Sequence, residues 1–251
     1  MSDEFAPDWL ALREPYDRAA RSRALAVAFL DALPDQPRLV DVGAGTGSNA
    51  RFLSESTDKA IAWQFVDQDA GLLDRISGVE GKKVCIDFAP SPARIDLSQC
   101  DGVTASAFFD LVSEDWFARF VAHVSGQPLL LTLNVDGRFV WQPGDAADRL
   151  LMGRFAGDMQ RDKGFGSAMG FDAPRLMTDC MQRAGYRVTS APSSWRLGPE
   201  DMAMLTALCG FVGDTAGDGL AAETWRLRRK LAITEKHLSV SVGHVDLLAL
   251  P

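Results

Sequence analysis

Residues 39–53 read LVDVGAGTGSNARFL. A short apolar run reaches an acidic residue, Asp41, then Gly43, Gly45 and Gly47 at alternate positions, then a helix-forming stretch through Ala50 and Leu53. Glycines at that spacing let a strand bend tightly into a helix, and they let a ligand approach where a β-carbon would clash. The helix that follows offers unpaired backbone N–H groups to that ligand. What comes next in the chain repeats the same alternation. AIAWQFVD reads as a second strand with Ile61, Trp63 and Phe65 in alternation, and AGLLDRI as a short helix. KKVCIDF and DGVTASA are a third and a fourth strand, SEDWFARFVAHV a crossover helix, and PLLLTLNV a fifth, continuously apolar strand suited to the middle of a parallel sheet. Strands alternating with helices from Arg38 to Asn134 predict an α/β fold with a doubly wound, mostly parallel sheet.

The flanks are less regular. Pro7 to Leu33 is predicted as a helical segment, with Leu25, Phe29, Ala32 and Leu33 on one stripe and Pro34 ending it. GDAADRLLMGRFAGDMQRDKGFG predicts a helix followed by a glycine-rich loop. In DAPRLMTDCMQRAG, Asp172 is placed to cap a helix, Pro174 suits its first turn and Gly185 ends it. YRVTSAPSSWRL is a strand whose proline suits a sheet edge or a bulge, and Pro199 opens a long helical stretch to Lys236. HLSVSVGHVDLLALP closes the chain as a strand, with Gly243 a candidate bulge. A strand, a long helical connection and a last strand fit an antiparallel pair at one edge, for seven strands in all.

Charge and cysteine content narrow the partners. Formal net charge is −8, a poor electrostatic match for a phosphate backbone, so nucleic acid is disfavoured. WRLRRK, residues 225–230, is the one basic run and reads as a solvated helix face. The four cysteines form no CxxC pair, and His123, His237 and His244 show no ligand spacing, so no metal is expected. His244, on the closing strand, could face the site, but it reads first as a structural histidine. No secretion signal and no bilayer-length apolar run is present, which predicts a soluble, cytoplasmic protein.

The turn itself separates two kinds of ligand. A dinucleotide site is marked by GxGxxG, and the position of its third glycine is Ser48 here. With Asp41 before the turn and FVDQDAGLL after it, the chain resembles the class I S-adenosylmethionine-dependent methyltransferases of the bacterial small-molecule type. VDVGAGTGSNARFL looks like their first motif and FVDQDAGLL like their second. That resemblance implies a Rossmann-like fold, S-adenosyl-L-methionine as cofactor and S-adenosyl-L-homocysteine as product. It implies that Gly43, Ala44, Gly45, Thr46 and Gly47 face the cofactor, that Asp67 with Gln68 holds the ribose, and that Asp41 helps hold the methionine ammonium. Asp96 with Leu97 is the best match for the adenine contact, although Asp87 competes for it. Ser106, at the end of the fourth strand, is placed near the methionine end. Asp67 and Asp96 could instead cap the helices that follow them.

On this reading the chain is one domain. Residues 1–36 are an N-terminal helical cap, 37–134 the cofactor-binding half, 135–170 an inserted helix and loop near the acceptor, and 171–251 the C-terminal half. An activated sulfonium needs mainly positioning, so a general base is required only for a protonated nucleophile. Asp110 in TASAFFD is the candidate base, with Phe108 and Phe109 as pocket walls; a core role for Phe108 and a capping role for Asp110 compete. Asn134, Asp136, Arg138 and Trp141 follow the fifth strand at the sheet's carboxyl end, where such folds bind ligands, although Asp136-Gly137 also reads as a β-turn. Arg138 and Arg161 would suit an anionic acceptor. Arg13, Tyr16, Asp17 and Arg21 make the N-terminal helix a candidate lid, although Asp17 and Arg21 equally form an i,i+4 surface pair. The expected partner is a small-molecule acceptor. An RNA methyltransferase, a cofactor-binding but catalytically silent interaction module, and a nucleotide-dependent oxidoreductase remain the alternatives.

Overall fold

The computed structural model describes residues 6–124, 126–215, 217 and 219–251. Its strands are β1 (Arg38–Val42), β2 (Ala62–Asp67), β3 (Gly81–Cys85), β4 (Gly102–Ser106), β5 (Leu129–Gln142), β6 (Arg187–Pro192), β7 (Trp195–Leu197) and β8 (Ser239–Leu250). Seven of them lie side by side in the order β3-β2-β1-β4-β5-β8-β6. The first five are parallel, and β8 runs antiparallel to both β5 and β6. The strand order reverses between β1 and β4, the switch point at which an open α/β sheet leaves a crevice.

An eighth strand extends the expected seven. The segment expected as one strand breaks after Pro192 into β6, at the sheet's edge, and β7, which pairs with the far half of β8. The fifth strand also continues past Asn134, through the Asp136-Gly137 pair expected as a turn, as far as Gln142. Two bulges absorb the extra length. At the second, residues 136–138 lie opposite Gly243 alone, and a β-carbon on Gly243 would sit 2.1 Å from Asp136 Oδ1. Glycine is therefore required there by close approach.

Helices α1 (Pro7–Ala20) and α2 (Arg23–Asp31) replace the single N-terminal helix. Ser22 divides them: its Oγ accepts from Leu25 N at 3.3 Å and caps α2, which buries Leu25, Ala26, Phe29 and Leu30, while Ala32 is exposed. α3 (Ser48–Ser54) and α4 (Ala70–Asp74) follow β1 and β2. α5 (Glu114–Val124) carries acids in its first turn and buries Trp116, Phe117, Phe120, Val121 and Val124 on one face. α6 (Asp148–Met159), α7 (Ala173–Arg183), α8 (Met202–Thr215) and α9 (Leu220–Thr234) complete the set. The Asp172 side chain makes no cap bond to α7; its Oδ1 takes Arg175 at 3.3 Å.

Three apolar clusters hold the layers. One packs α5 and α7 on one face of the sheet, one packs α2 and α3 on the other, and the third fills the space between the β5–β8 extension and α1, α6, α8 and α9. Among the described residues, no helix is long and apolar enough to cross a membrane.

Candidate active site

The carboxyl ends of β1, β2 and β4 meet at the switch point and frame a cavity of about 160 Å³. Gly43, Gly45 and Gly47 all take positive φ, at 65°, 53° and 81°. The turn is packed against aromatic rings, since a β-carbon on Gly43 would lie 2.8 Å from Phe108 Cδ2. Gly43, Ala44, Gly45 and Thr46 line the cavity. Gly47 does not. Its N–H donates to Ala44 O at 2.9 Å, which closes the turn ahead of α3.

Two acids reach this cavity by different routes. Asp67, at the end of β2, accepts from Gly45 N at 2.8 Å and from Asp69 N at 3.0 Å, and burial raises its pKa. It caps no helix. That role belongs to Asp69, whose Oδ1 takes Gly71 N at 2.8 Å and Leu72 N at 3.2 Å. Asp41 is 1% exposed. Its Oδ1 accepts from Asn49 Nδ2 at 2.9 Å and Thr104 Oγ1 at 2.7 Å, while Oδ2 has no hydrogen-bond partner among the described residues. Burial pushes its carboxyl up to about 6, against the opposing pull of those two hydrogen bonds and of Arg21.

Arg21 turns inward at the end of α1 and is 4% exposed. Its guanidinium donates to Ser106 Oγ at 2.9 Å and to Ser48 Oγ at 3.3 Å, and Nε has no partner. Among the described residues no carboxylate lies within ion-pair distance of it, and burial lowers its pKa. Asp17, the partner expected for it, binds Arg13 at 2.9 Å and accepts from Trp195 Nε1 at 2.9 Å. Tyr16 donates to Asp201 Oδ1 at 2.9 Å, which ties α1 to the start of α8. A buried cation and a buried acid thus line one cavity, each with an unpartnered atom and without each other as a direct partner.

A second cavity of about 100 Å³ adjoins the first, and Arg13, Ala107 and Leu111 line both. Ala107 follows β4 with φ 51°, so the chain turns sharply at the shared wall. Asp110 lines this second cavity, as do Trp9, Phe139, Phe155, Trp195, Phe211 and His244.

No protein-family model matches the chain, and no curated protein matches it in sequence. Solved structures match it in shape. A putative methyltransferase from an antibiotic biosynthesis pathway of Anabaena variabilis aligns with a TM-score of 0.53 at 13% identity, over 94% of this chain and 100% of that one. The chain has the class I methyltransferase fold. Weaker likenesses include the cyclopropane synthase MmaA2 from Mycobacterium tuberculosis, at 12% identity over 90% of this chain and 83% of that one, with a TM-score of 0.45. Another is geranyl diphosphate C-methyltransferase from Streptomyces coelicolor, at 12% identity over 90% and 79%, with a TM-score of 0.44. At such identities the likeness concerns the fold alone.

Set on this methyltransferase fold, the expected site residues divide sharply. Asp41, Gly43, Ala44, Gly45, Thr46, Asp67, Gln68 and Ser106 line the first cavity. Asp96 and Leu97 do not: Asp96 is exposed and bonded to Ser98, and Leu97 is buried in the core beside α5. Phe88 and Leu72 line the cavity instead. Of the two rings expected as walls, Phe108 lines the first cavity, while Phe109 is 0% exposed and packs on Phe117 and Phe120.

Asn134, Asp136, Arg138, Trp141 and Arg161 line neither cavity. Asn134 is spent inside the sheet, donating to Leu131 O and Val245 O, each at 2.9 Å. Asp136 and Arg138 pair with each other, Arg161 pairs with Asp158, and both arginines are exposed. Trp141 packs edge-on against Trp225, 5.6 Å between centroids. The reason is common to the group around Asn134: β5 does not end there, so these residues belong to a strand and not to a loop over the site. Arg13, Asp17 and Arg21 of the expected lid do line the first cavity, and Phe88, Trp195 and Phe211 are cavity-lining residues that spacing alone does not reveal.

Proposed function

We propose that this protein transfers a methyl group from S-adenosylmethionine to a small-molecule acceptor. The observation that carries the reading is the pairing of Asp41 and Arg21, a buried acid and a buried cation that each leave one atom unpartnered beside the glycine turn. An isolated buried charge is costly, and an amino-acid zwitterion offers the opposite charge to both. Asp41 would take the ammonium and Arg21 the carboxylate of the methionine moiety. Asp67 and Gln68 would hold the ribose hydroxyls, Leu72 and Phe88 would face the adenine, and Ser106 fixes the Arg21 guanidinium.

When bound, the sulfonium supplies a methyl carbon whose bond to sulfur breaks as a bond to the acceptor forms, the electron pair leaving with sulfur. The residues around it position and enclose. Ala107 and Leu111 separate the two cavities, so an acceptor in the second would approach across that wall. Such alignment can supply roughly 7–11 kcal/mol of the barrier. Asp110 is the residue to receive a proton from an acceptor that arrives protonated. Support for the reading also comes from the fold shared with the Anabaena structure.

Calorimetric titration with S-adenosylmethionine, S-adenosylhomocysteine and NADH, on this protein and on Asp67→Ala, tests the cofactor. Both adenosyl ligands should bind, and the substitution should weaken them by about tenfold or more, the scale of a lost charge-assisted pair of hydrogen bonds. Binding of NADH alone would make the protein an oxidoreductase.

A further inference from the structure

The second cavity has a composition that selects among acceptors. Rings from Trp9, Phe139, Phe155, Trp195 and Phe211 surround it, with aliphatic side chains such as Leu133, Val135 and Leu208 between them. The rings already meet edge to face: Phe139 and Phe155 stand at 90° with centroids 5.8 Å apart, and Phe155 and Phe211 at 79° and 5.4 Å. A further aromatic ring packs well in such surroundings. The volume, about 100 Å³, is below the ~150 Å³ of an engineered apolar cavity that admits benzene, so it limits an acceptor to one ring, whose substituent would extend toward the wall shared with the first cavity at Ala107 and Leu111.

The lining carries three polar side chains, and none is a cation waiting for an anion. Arg13 is held by Asp17 through Nε at 2.9 Å and Nη2 at 3.2 Å, and its guanidinium lies 4.9 Å from the Trp195 ring centroid. His244 lies with Nδ1 3.1 Å from Val242 O. Its pKa is pushed down to about 4, first by burial and then by the Arg13 charge, so the imidazole is neutral and Nε2 is left as an acceptor. Asp110 is an acid. A phosphate or carboxylate brought here would lose its hydration, find Arg13 already matched, and face Asp110. An ammonium would find the faces of Trp9 and Trp195 already under Arg13, at 5.9 and 4.9 Å. The two arginines expected for an anionic acceptor, Arg138 and Arg161, lie outside both cavities and are already paired.

We propose that the second cavity takes an uncharged, single-ring aromatic acceptor carrying one hydroxyl or N–H, and that the ring lies among Phe139, Phe155 and Phe211. This rests on the methyl-transfer reading for what happens to the ring, but not for its binding. Asp110 accepts the ligand's one hydrogen bond and receives that proton as the bond from the ligand's oxygen or nitrogen to the methyl carbon forms and the carbon–sulfur bond breaks, while neutral His244 completes the wall. Acceptors bearing a phosphate, a carboxylate or an ammonium are rejected by desolvation.

The test uses three probes of one shape and different charge: p-cresol, 4-hydroxybenzoate and tyramine. Each is titrated calorimetrically into the full-length protein, with and without S-adenosylhomocysteine. p-Cresol should bind about tenfold or more tighter than either charged probe, in keeping with the cost of burying an unpaired charge. Phe211→Leu, a half-buried ring that lines the second cavity alone, should weaken p-cresol several-fold and leave S-adenosylhomocysteine affinity unchanged. Equal or tighter binding of 4-hydroxybenzoate or tyramine overturns the proposal, as does no p-cresol binding up to ~10 mM, a concentration that would reveal even a millimolar site. The readings separate cleanly. If p-cresol is preferred but S-adenosylhomocysteine does not bind, the cofactor assignment fails and the acceptor chamber stands. The reverse pattern sinks the chamber and leaves the cofactor.

Discussion

Asp41 shows how one buried side chain joins stability to binding. Its carboxyl is held at about 6 against an ordinary value near 3.8, with burial as the first cause. A raised acid pKa means that the folded chain binds the proton more tightly than the unfolded chain. Stability therefore falls as pH rises from about 4 through 6 and then levels off, a penalty of up to about 3 kcal/mol at neutral pH. Asn at this position keeps an acceptor oxygen for Asn49 and Thr104 without the charge. Asp41→Asn is expected to unfold at higher urea than the parent at pH 7.5, and at nearly the same urea at pH 4. The same substitution should abolish tight binding of S-adenosylhomocysteine. In the parent, affinity for that ligand should climb with pH through about 6 and flatten above 7, because only the ionised carboxylate holds an ammonium. A variant less stable than the parent at pH 7.5 would mean that the carboxylate is not strained by its burial.

At the scale of elements, the strand-to-helix turn is held open by a neighbouring ring. Phe108 abuts Gly43 and packs in a triangle of rings with Phe88 and Phe165, 5.6 Å from each centroid, the other two 5.9 Å apart. That packing resists its retreat from a new β-carbon. Gly185, which ends α7 with φ 93°, has nothing within 4 Å of its would-be β-carbon. Alanine at either site meets the left-handed penalty, about 1 kcal/mol. At Gly43 overpacking adds about 1–3 kcal/mol more. Urea unfolding of Gly43→Ala and Gly185→Ala should thus differ by that second amount, and equal losses would show that Phe108 yields. The turn, Asp67 and the strand order were legible in sequence because each is a short-range pattern: glycine spacing, alternation, an acid at a strand's end. Asp96 was misplaced because several acids follow β3, and only the path of the loop decides which, if any, faces inward. Asn134 to Trp141 were misplaced because nothing local says that a strand ignores an Asp-Gly pair; the long β8 opposite it does. For Arg21 the sequence leaves both a lid contact and a surface pair with Asp17 open, because the partners that decide, Ser48 and Ser106, lie 27 and 85 residues away.

Across the whole molecule, α1 is the piece that belongs to both cavities. Leu10, Arg13 and Asp17 line the first, and Trp9 and Arg13 the second. Its attachment combines apolar packing of Trp9, Leu12, Tyr16 and Ala20 with polar ties from Tyr16 to Asp201, Asp17 to Trp195, and Arg51 of α3 to Glu14 at 2.7 Å. Pro15 inside the helix removes one backbone hydrogen bond from it. A helix so held opens at lower free energy than the central strands β1 and β4, which are buried on both faces over most of their length. A ligand that contacts Arg21 and Asp41 bridges the end of α1 to β1, so it binds only while α1 is seated. Seating and binding are then linked. At a free concentration one hundred times its dissociation constant, a ligand adds about 2.7 kcal/mol against any opening that releases it. Amides of residues 8–21 should therefore exchange up to about one hundredfold more slowly in saturating S-adenosylhomocysteine. Those of α9, whose residues line neither cavity, should keep their rates wherever they exchange by local opening. Mass spectrometry of exchanged peptides resolves the two segments. Unchanged exchange in α1 with ligand demonstrably bound would mean that the cofactor enters without moving that helix, and the shared wall would then have to open elsewhere to admit the acceptor.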